Sequence, residues 1–510
     1  MKKTSFAAII SACLAISFCA GNAFAQSKKV DTIKLEAAPN FAATNNQSYK
    51  HTTHPDAQWY PKAGFGIFIH WSIASVKEID LSWPMRAGTQ IGWRPVNNKL
   101  SADSVKKIME SGNYFAGHEC EAANNCITPN EYFSLAKYFD PQNCDPEKWI
   151  KAAKDAGMTY AVFTAKHHDG FAMWPSAYGD FNTKNFMGGR DLVREFVNAC
   201  RKYGLKVGLY FSPPDWHFDP GFQNFMYYGV AKNYPNIPVL DENLRARTTT
   251  LTAADSMAHY RKMAAYTKGQ VEELLTNYGK IDMIWFDTDG VPIIPKDHPA
   301  WSDCITMEEV RRLQPGIIVS PRLFGYGDYK TFESDKNFPT TKQDGWAEFC
   351  TTVATSGWGY TKSSLKSTAY LLNYLIRSKA SNMNMLLNYG PNKDGAFSSE
   401  MYKSLSEIAS WMKANGVSID NANAIDSTES ATVPATAAGK HRYLFMLAKD
   451  NAVVARNQEV VLEVKATIKN VCMLGSKEKL VYKVDRDKLV IIVPSTLRTE
   501  LPGVIDVTLK

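Results

Sequence analysis

From about residue 64 onward, short apolar runs alternate with amphipathic stretches. Runs with strand character are Gly64–His70, Tyr160–Lys166, Leu205–Phe211, Ile281–Asp287, Gly316–Arg322 and Asn384–Tyr389. Between them apolar residues recur at helical spacing. Asp145 reads as the N-cap of a helix over Pro146–Gly157, Arg190–Tyr203 stops at Gly204, and Ser256–Tyr278 stops at Gly279. Ser363–Ser378 and Ser399–Ala414 continue the pattern, the latter stopping near Gly416. Strands alternating with helices predict a parallel sheet. One rhythm sustained over residues 56–420 predicts a closed (β/α)8 barrel rather than an open doubly wound sheet. No G-x-G-x-x-G follows the first strand, which speaks against a dinucleotide fold. Lys77–Pro129 is a long insertion after that strand, and loops in this position usually build a site.

The pattern changes after Gly416. Arg442–Ala448, Val453–Ala455, Glu459–Val464, Lys479–Val484, Lys488–Val493 and Gly503–Leu509 are short and rich in β-branched residues. They predict a C-terminal antiparallel β-sandwich over residues 421–510. At the other end, Lys2 and Lys3, an apolar run from Phe6 to Cys19, and Ala23-Phe24-Ala25 have the layout of a secretory signal peptide, residues 1–25, cut before Gln26. Bulky Phe18 before Cys19 argues against a lipoprotein. The expectation is an exported protein, periplasmic or secreted, with a polar extension over residues 26–55.

Composition narrows this little. The chain has 510 residues, 45% hydrophobic and 21% charged, too apolar for disorder and without fibre periodicity. The formal charge of +7 falls to +5 without Lys2 and Lys3 and is not clustered, which excludes nucleic acid as a main partner. No stretch beyond the leader is long and apolar enough to span a membrane. Seven cysteines lie after the leader: Cys120, Cys126, Cys144, Cys200, Cys304, Cys350 and Cys472. A Cys120–Cys126 bridge and scattered buried thiols are equal readings of these in an exported chain.

The chemistry concentrates at the C-terminal ends of the predicted strands: His70-Trp71, His167-His168-Asp169, Ser212 to Trp216, Trp285-Phe286-Asp287 and Arg322. In a (β/α)8 barrel that end carries the active site. Asp287 closes an apolar run, where a carboxylate is costly unless it is hydrogen-bonded or has a task. Adjacent His167 and His168 would face opposite ways on a regular strand, a poor spacing for one metal; hydrogen bonding to hydroxyl groups suits them better. Trp71, Trp174, Trp285 and Trp358 are candidate platforms for the apolar face of a sugar. Neither G-x-S-x-G nor a P-loop occurs. A tryptophan-lined pocket with carboxylates and no metal or nucleotide motif points to glycoside hydrolysis.

Several segments resemble the α-L-fucosidases of glycoside hydrolase family 29. They include Trp59-Tyr60, Gly64 to Trp71, Thr164 to Phe171 with Trp174-Pro175-Ser176, and Arg190 to Val193. Gly208 to Ser212, Ile284 to Asp287, Ser356 to Tyr360, and Leu386 to Pro391 with Asp394-Gly395 follow in the family's order. The resemblance implies a retaining exo-hydrolase without metal or cofactor, acting on terminal α-L-fucose of oligosaccharides or glycoconjugates through a covalent fucosyl-enzyme. Asp287 matches the nucleophile. His70, His167, His168, Tyr210 and Trp285 match sugar-binding residues, as do Arg322 and Trp358; Trp71 joins them as a pocket candidate. The acid/base is not kept at one motif in the family. Glu333, in Lys330-Thr331-Phe332-Glu333, is favoured. Glu348, in Trp346-Ala347-Glu348-Phe349-Cys350, is the alternative, with Ala347 inserted relative to W-E-x-C, and Asp335 comes third. Retention requires the chosen carboxyl about 5 Å from Asp287. Where many relatives place a Glu-Trp pair, this chain has Leu81-Ser82-Trp83, so Trp83 keeps the aromatic half and the carboxylate half is missing or moved. Two other readings stand beside this one: a barrel glycosidase for another sugar such as galactose, and a non-catalytic binder of fucosylated glycan. Linkage preference and oligomeric state are not encoded in any of these motifs.

Overall fold

The computed structural model describes residues 51–86, 127, 129–218, 252–287, 303–323, 327–449, 452–453, 456–476 and 478–510. Eight parallel strands form one sheet: β1 (Phe65–Ile69), β2 (Tyr160–Lys166), β3 (Lys206–Phe211), β4 (Met283–Phe286), β5 (Ile318–Val319), β6 (Lys330–Glu333), β7 (Ala347–Thr352) and β8 (Asn384–Tyr389). Their hydrogen-bonded order is β5-β4-β3-β2-β1-β8-β7-β6. The pairing of β1 with β8 joins the two ends of the chain order, as in a barrel, and among the described residues β5 and β6 form no ladder. This seam is spanned at the mouth by side chains instead.

Six of the eight strands match the predicted runs, and β6 and β7 do not. Lys330–Glu333 and Ala347–Thr352 lack an aliphatic run, because their inward positions carry Glu333, Glu348 and Cys350. Strand polarity that serves a pocket hides the strand from a pattern search. The sheet separates two apolar layers. Inside lie Phe68, Tyr160, Tyr210, Met283, Trp285 and Leu386. Outside, Ile67, Phe163, Leu209, Ile284, Phe349 and Leu387 pack against the helices. Gly66 is required by close approach: a Cβ there would sit 2.4 Å from the Tyr160 ring.

Helix starts follow the caps that the sequence offers. Asp145 accepts from Glu147 N at the head of helix Pro146–Asp155, and Asp191 from Arg194 N at the head of Leu192–Tyr203. The latter ends at Gly204 with φ 70°. The helix expected to start at Ser256 starts at Ala253, because Thr252 and Asp255 form a capping box. The stretch expected to begin at Ser363 is helical over Thr368–Ala380, where Ser367 caps Tyr370 N.

After Gly416 the chain forms a four-stranded and a five-stranded antiparallel sheet, the predicted sandwich. Ile468–Met473 adds a strand that the pattern did not predict, and Val453–Ala455 does not form one among its described residues. The sandwich packs on the barrel's helices. Tyr443, Phe445 and Val504 join the outer core, Trp411 Nε1 donates to Pro502 O at 2.8 Å, and Asn373 exchanges two hydrogen bonds with Ala448. No helix among the described residues is long and apolar enough to cross a membrane. The signal-peptide reading, Cys120, Cys126 and most of the Lys77–Pro129 insertion lie outside the described residues. Cys144, Cys200, Cys304 and Cys350 are free thiols.

Candidate active site

Each strand of the barrel from β1 to β6 delivers a polar group at its C-terminal end. Asp287, the residue after β4, is nearly buried and takes a hydrogen bond on each oxygen. Tyr210 OH donates to Oδ2 at 2.6 Å and Arg322 Nη1 to Oδ1 at 2.9 Å, while His168 Nε2 lies 3.5 Å from Oδ2. Burial alone would raise its pKa. The Arg322 charge, His168 and the Tyr210 hydroxyl outweigh burial and hold it below the ordinary value of 3.8, so the group is a carboxylate. Arg322, just after β5, gives its second nitrogen, Nη2, to Glu333 Oε2 at the end of β6. One guanidinium thus binds both carboxylates and ties the mouth of the seam. Its own plane lies 4.7 Å over the Trp285 ring.

The histidines converge although they are adjacent in sequence. β2 is irregular between Thr164 and Lys166 and ends before His167, so strand alternation no longer applies, and the two rings lie 4.4 Å apart. The expectation of opposite faces is therefore corrected. Ser212 Oγ donates to Pro214 O, so it accepts from His168 Nδ1 at 2.5 Å. His167 Nδ1 meets Ser82 Oγ at 2.9 Å, and its ring stacks on Tyr210. His70 Nδ1 lies 2.7 Å from Asn388 Oδ1, and the Asn388 amide nitrogen donates to Trp358 O. That orientation makes His70 Nδ1 the protonated nitrogen and leaves Nε2 as an acceptor. Burial pushes His70 down to about 4 and His167 well below 6.5, so both rings are neutral near pH 7.

Trp285 stacks on Tyr210 inside the barrel and donates from Nε1 to Glu348 Oε1 at 3.0 Å. Glu348 is fully buried near the start of β7, and its other oxygen accepts from Tyr160 OH at 2.8 Å and Tyr60 OH at 3.2 Å. Burial raises its pKa against these bonds. It is placed beneath Trp285, at the end of the strand away from Asp287, with its oxygens already engaged. The structure therefore does not bring Glu348 to the mouth. Asp335 also points elsewhere, toward Thr351, Tyr370 and Lys366. Glu333, about one-third exposed, is the acid left beside Asp287.

Trp83 is half-buried, 5.3 Å from the His168 ring and 6.0 Å from Trp216. Trp358 is half-buried, 5.0 Å from His70, and its N–H donates to Asp80 Oδ1 at 2.7 Å. Trp71 is placed otherwise. It is buried between sheet and helices against Phe139 and Trp149, with Nε1 on Asn392 O, because the chain turns outward after His70. Its assignment to the pocket is corrected. Trp174 likewise lies in the outer core, on Glu273. The sequence reading missed Asn388, Ser82 and Asp80, which orient His70, His167 and Trp358. A polar residue inside the apolar run of β8 was the available signal for Asn388.

A family profile described as Alpha-L-fucosidase matches residues 32–417. The tissue alpha-L-fucosidase of Rattus norvegicus is 28% identical over 381 residues, covering 72% of this chain and 70% of that protein. That of Homo sapiens is 26% identical over 477 residues, covering 90% and 89%. Among solved structures, alpha-L-fucosidase isoenzyme 1 from Paenibacillus thiaminolyticus has a TM-score of 0.66 at 27% identity, over 89% of this chain and 99% of that one. An alpha-L-fucosidase of Bacteroides thetaiotaomicron, solved as a trapped covalent intermediate with 2-fluoro-fucosyl fluoride, has a TM-score of 0.67 at 21% identity. That match covers 91% of this chain and 98% of that one.

Proposed function

The chain belongs to the α-L-fucosidase family of glycoside hydrolases, and from that premise we propose that it removes terminal α-L-fucose from fucosylated glycans with retention of configuration. The observation that carries this reading is the shared guanidinium: Arg322 binds Asp287 and Glu333 at once. Two carboxyls spanned by one side chain suit the separation of about 5 Å that double displacement uses.

In the first step an Asp287 oxygen attacks C1 of fucose, the bond from C1 to the leaving oxygen breaks, and protonated Glu333 gives its proton to that oxygen. In the second step Glu333 takes a proton from water as the water oxygen attacks C1 and the ester bond to Asp287 breaks. Tyr210 and Arg322 hold the nucleophile in place. Neutral His70 and His167, with His168, offer acceptors and donors to the sugar hydroxyls, while Trp83, Trp285 and Trp358 supply apolar faces. Following an aryl α-L-fucoside by proton NMR tests the mechanism: α-L-fucose should appear first and mutarotate later. Initial release of β-L-fucose would overturn it, and equal turnover of an aryl galactoside would return the sugar assignment to the galactose reading.

Titration of His70 sets an expected acid limit. Since its pKa is depressed to about 4, the ring is neutral above that pH and loses its acceptor below it, while the Asp287 carboxyl is held below its ordinary value of 3.8. The kcat/KM profile should fall below about pH 4, and a His70→Gln variant, weaker throughout, should have that limb moved to lower pH.

The proposal extends to the destination of the chain. The charged start, apolar run and Ala23-Phe24-Ala25 support export to the periplasm or beyond, with cleavage before Gln26. N-terminal sequencing of protein from an osmotic-shock fraction should begin at Gln26; an intact Met1 in the cytoplasm would contradict it.

A further inference from the structure

Ser334, the residue after Glu333, has φ +65° and ψ 153°. Glycine reaches that conformation readily and serine does not, so the surrounding structure must impose it. Its N–H still donates to Cys350 O at 3.1 Å, continuing the ladder with β7, while its carbonyl accepts from Asn337 N at 3.0 Å. The backbone is therefore twisted between a strand and a short helical turn. Asn337 Nδ2 adds a bond to Glu333 O at 2.9 Å.

Asp335 comes next and is tied on the opposite side. Thr351 Oγ1 donates to its Oδ1 at 2.9 Å, and Tyr370 OH donates to its Oδ2 at 2.6 Å. Lys366 Nζ lies 3.2 Å from Oδ2 and also donates to Thr351 Oγ1. These groups come from β7, from helix Thr368–Ala380 and from the segment before it. The neighbours two apart in sequence thus answer to opposite sides of the sheet: Glu333 to Arg322 in the mouth, Asp335 to the helix layer. A regular strand would also send them to one face, since their positions differ by two. The twist at Ser334 reverses that.

We propose that Asp335 is a positioning residue for Glu333: anchored by Tyr370, Thr351 and Lys366, it imposes the Ser334 conformation and thereby fixes the Glu333 carboxyl beside the bond to be cleaved. This rests on the reading of Glu333 as acid/base, and the experiment separates the two. Rates are measured for wild type, Glu333→Ala, Asp335→Ala and Tyr370→Phe on 2-chloro-4-nitrophenyl and methyl α-L-fucoside, with and without azide, alongside melting curves. The aryl group leaves with little proton assistance, whereas methoxide needs it.

Glu333→Ala is expected to lose about 10²- to 10⁴-fold in kcat/KM on the methyl fucoside and far less on the aryl one, the range typical of general acid catalysis. Asp335→Ala should show the same selectivity at about 10- to 100-fold, below the loss on removing the acid itself, with turnover of the aryl fucoside accelerated by azide. Tyr370→Phe should show a smaller loss of the same pattern. Equal losses on both fucosides, or none, in Asp335→Ala and Tyr370→Phe would overturn the proposal while leaving Glu333 in its role. Loss of selectivity in Glu333→Ala itself would remove the premise and the proposal together. If Asp335→Ala melts below the assay temperature, Tyr370→Phe and Thr351→Val decide, since each removes one anchor and keeps the carboxylate.

Discussion

Asp287→Gly is expected to lower kcat on an aryl α-L-fucoside by about 10⁴-fold or more, the scale seen when a covalent nucleophile is removed, with a melting curve close to that of wild type. Removal leaves Arg322 its bond to Glu333, so no cation is stranded. The space left beside C1 should admit azide from the face Asp287 used, giving β-L-fucosyl azide at a measurable rate. The product's configuration is the critical reading. An α-azide from this variant would mean that another group still forms the covalent intermediate, and wild-type-like turnover would dismiss Asp287 altogether.

Glu333→Ala should give the opposite product. The fucosyl ester still forms from an activated aryl donor, and azide then attacks from the side vacated by water, restoring turnover as α-L-fucosyl azide. On a poor leaving group the loss should reach about 10²- to 10⁴-fold. Glu348→Ala is the informative contrast. It leaves Trp285 Nε1, Tyr160 OH and Tyr60 OH without their acceptor, at about 1–3 kcal/mol for each buried group left unsatisfied, so its main effect should be a lower melting temperature. Rescue of Glu348→Ala by azide, with none in Glu333→Ala, would exchange their roles.

What the sequence disclosed follows from how each residue signals itself. Asp287, His70 and the His167-His168 pair end long apolar runs, so polarity against an apolar background exposed them. The same contrast misplaced Trp71: adjacency to His70 suggested the pocket, but a turn of the backbone sends its ring into the helix layer. Glu333 and Glu348 could not be separated by pattern, since both sit on strands without an aliphatic run. Only pairing with β7 shows that Glu348 lies level with Thr331, two positions further from the mouth than Glu333. Ser82 and Asn388 hold histidine rings and Asp80 holds the Trp358 backbone N–H, and contacts of sequence separation 85, 318 and 278 leave no local trace.

The seam beside β5 has an evolutionary consequence. β4, which delivers Asp287, is hydrogen-bonded on both edges, so an insertion within it would shift the register of two neighbours and turn its side chains to the wrong face. β6 is laddered to β7 alone among the described residues, and it delivers Glu333. A strand free on one edge tolerates added or deleted residues, provided some carboxylate still reaches the arginine. On the proposed roles, Asp287 is thus anchored in the alignment during divergence while the position of Glu333 can migrate along the chain. Comparisons of relatives should run ungapped through Asp287 and need gaps between Arg322 and β7.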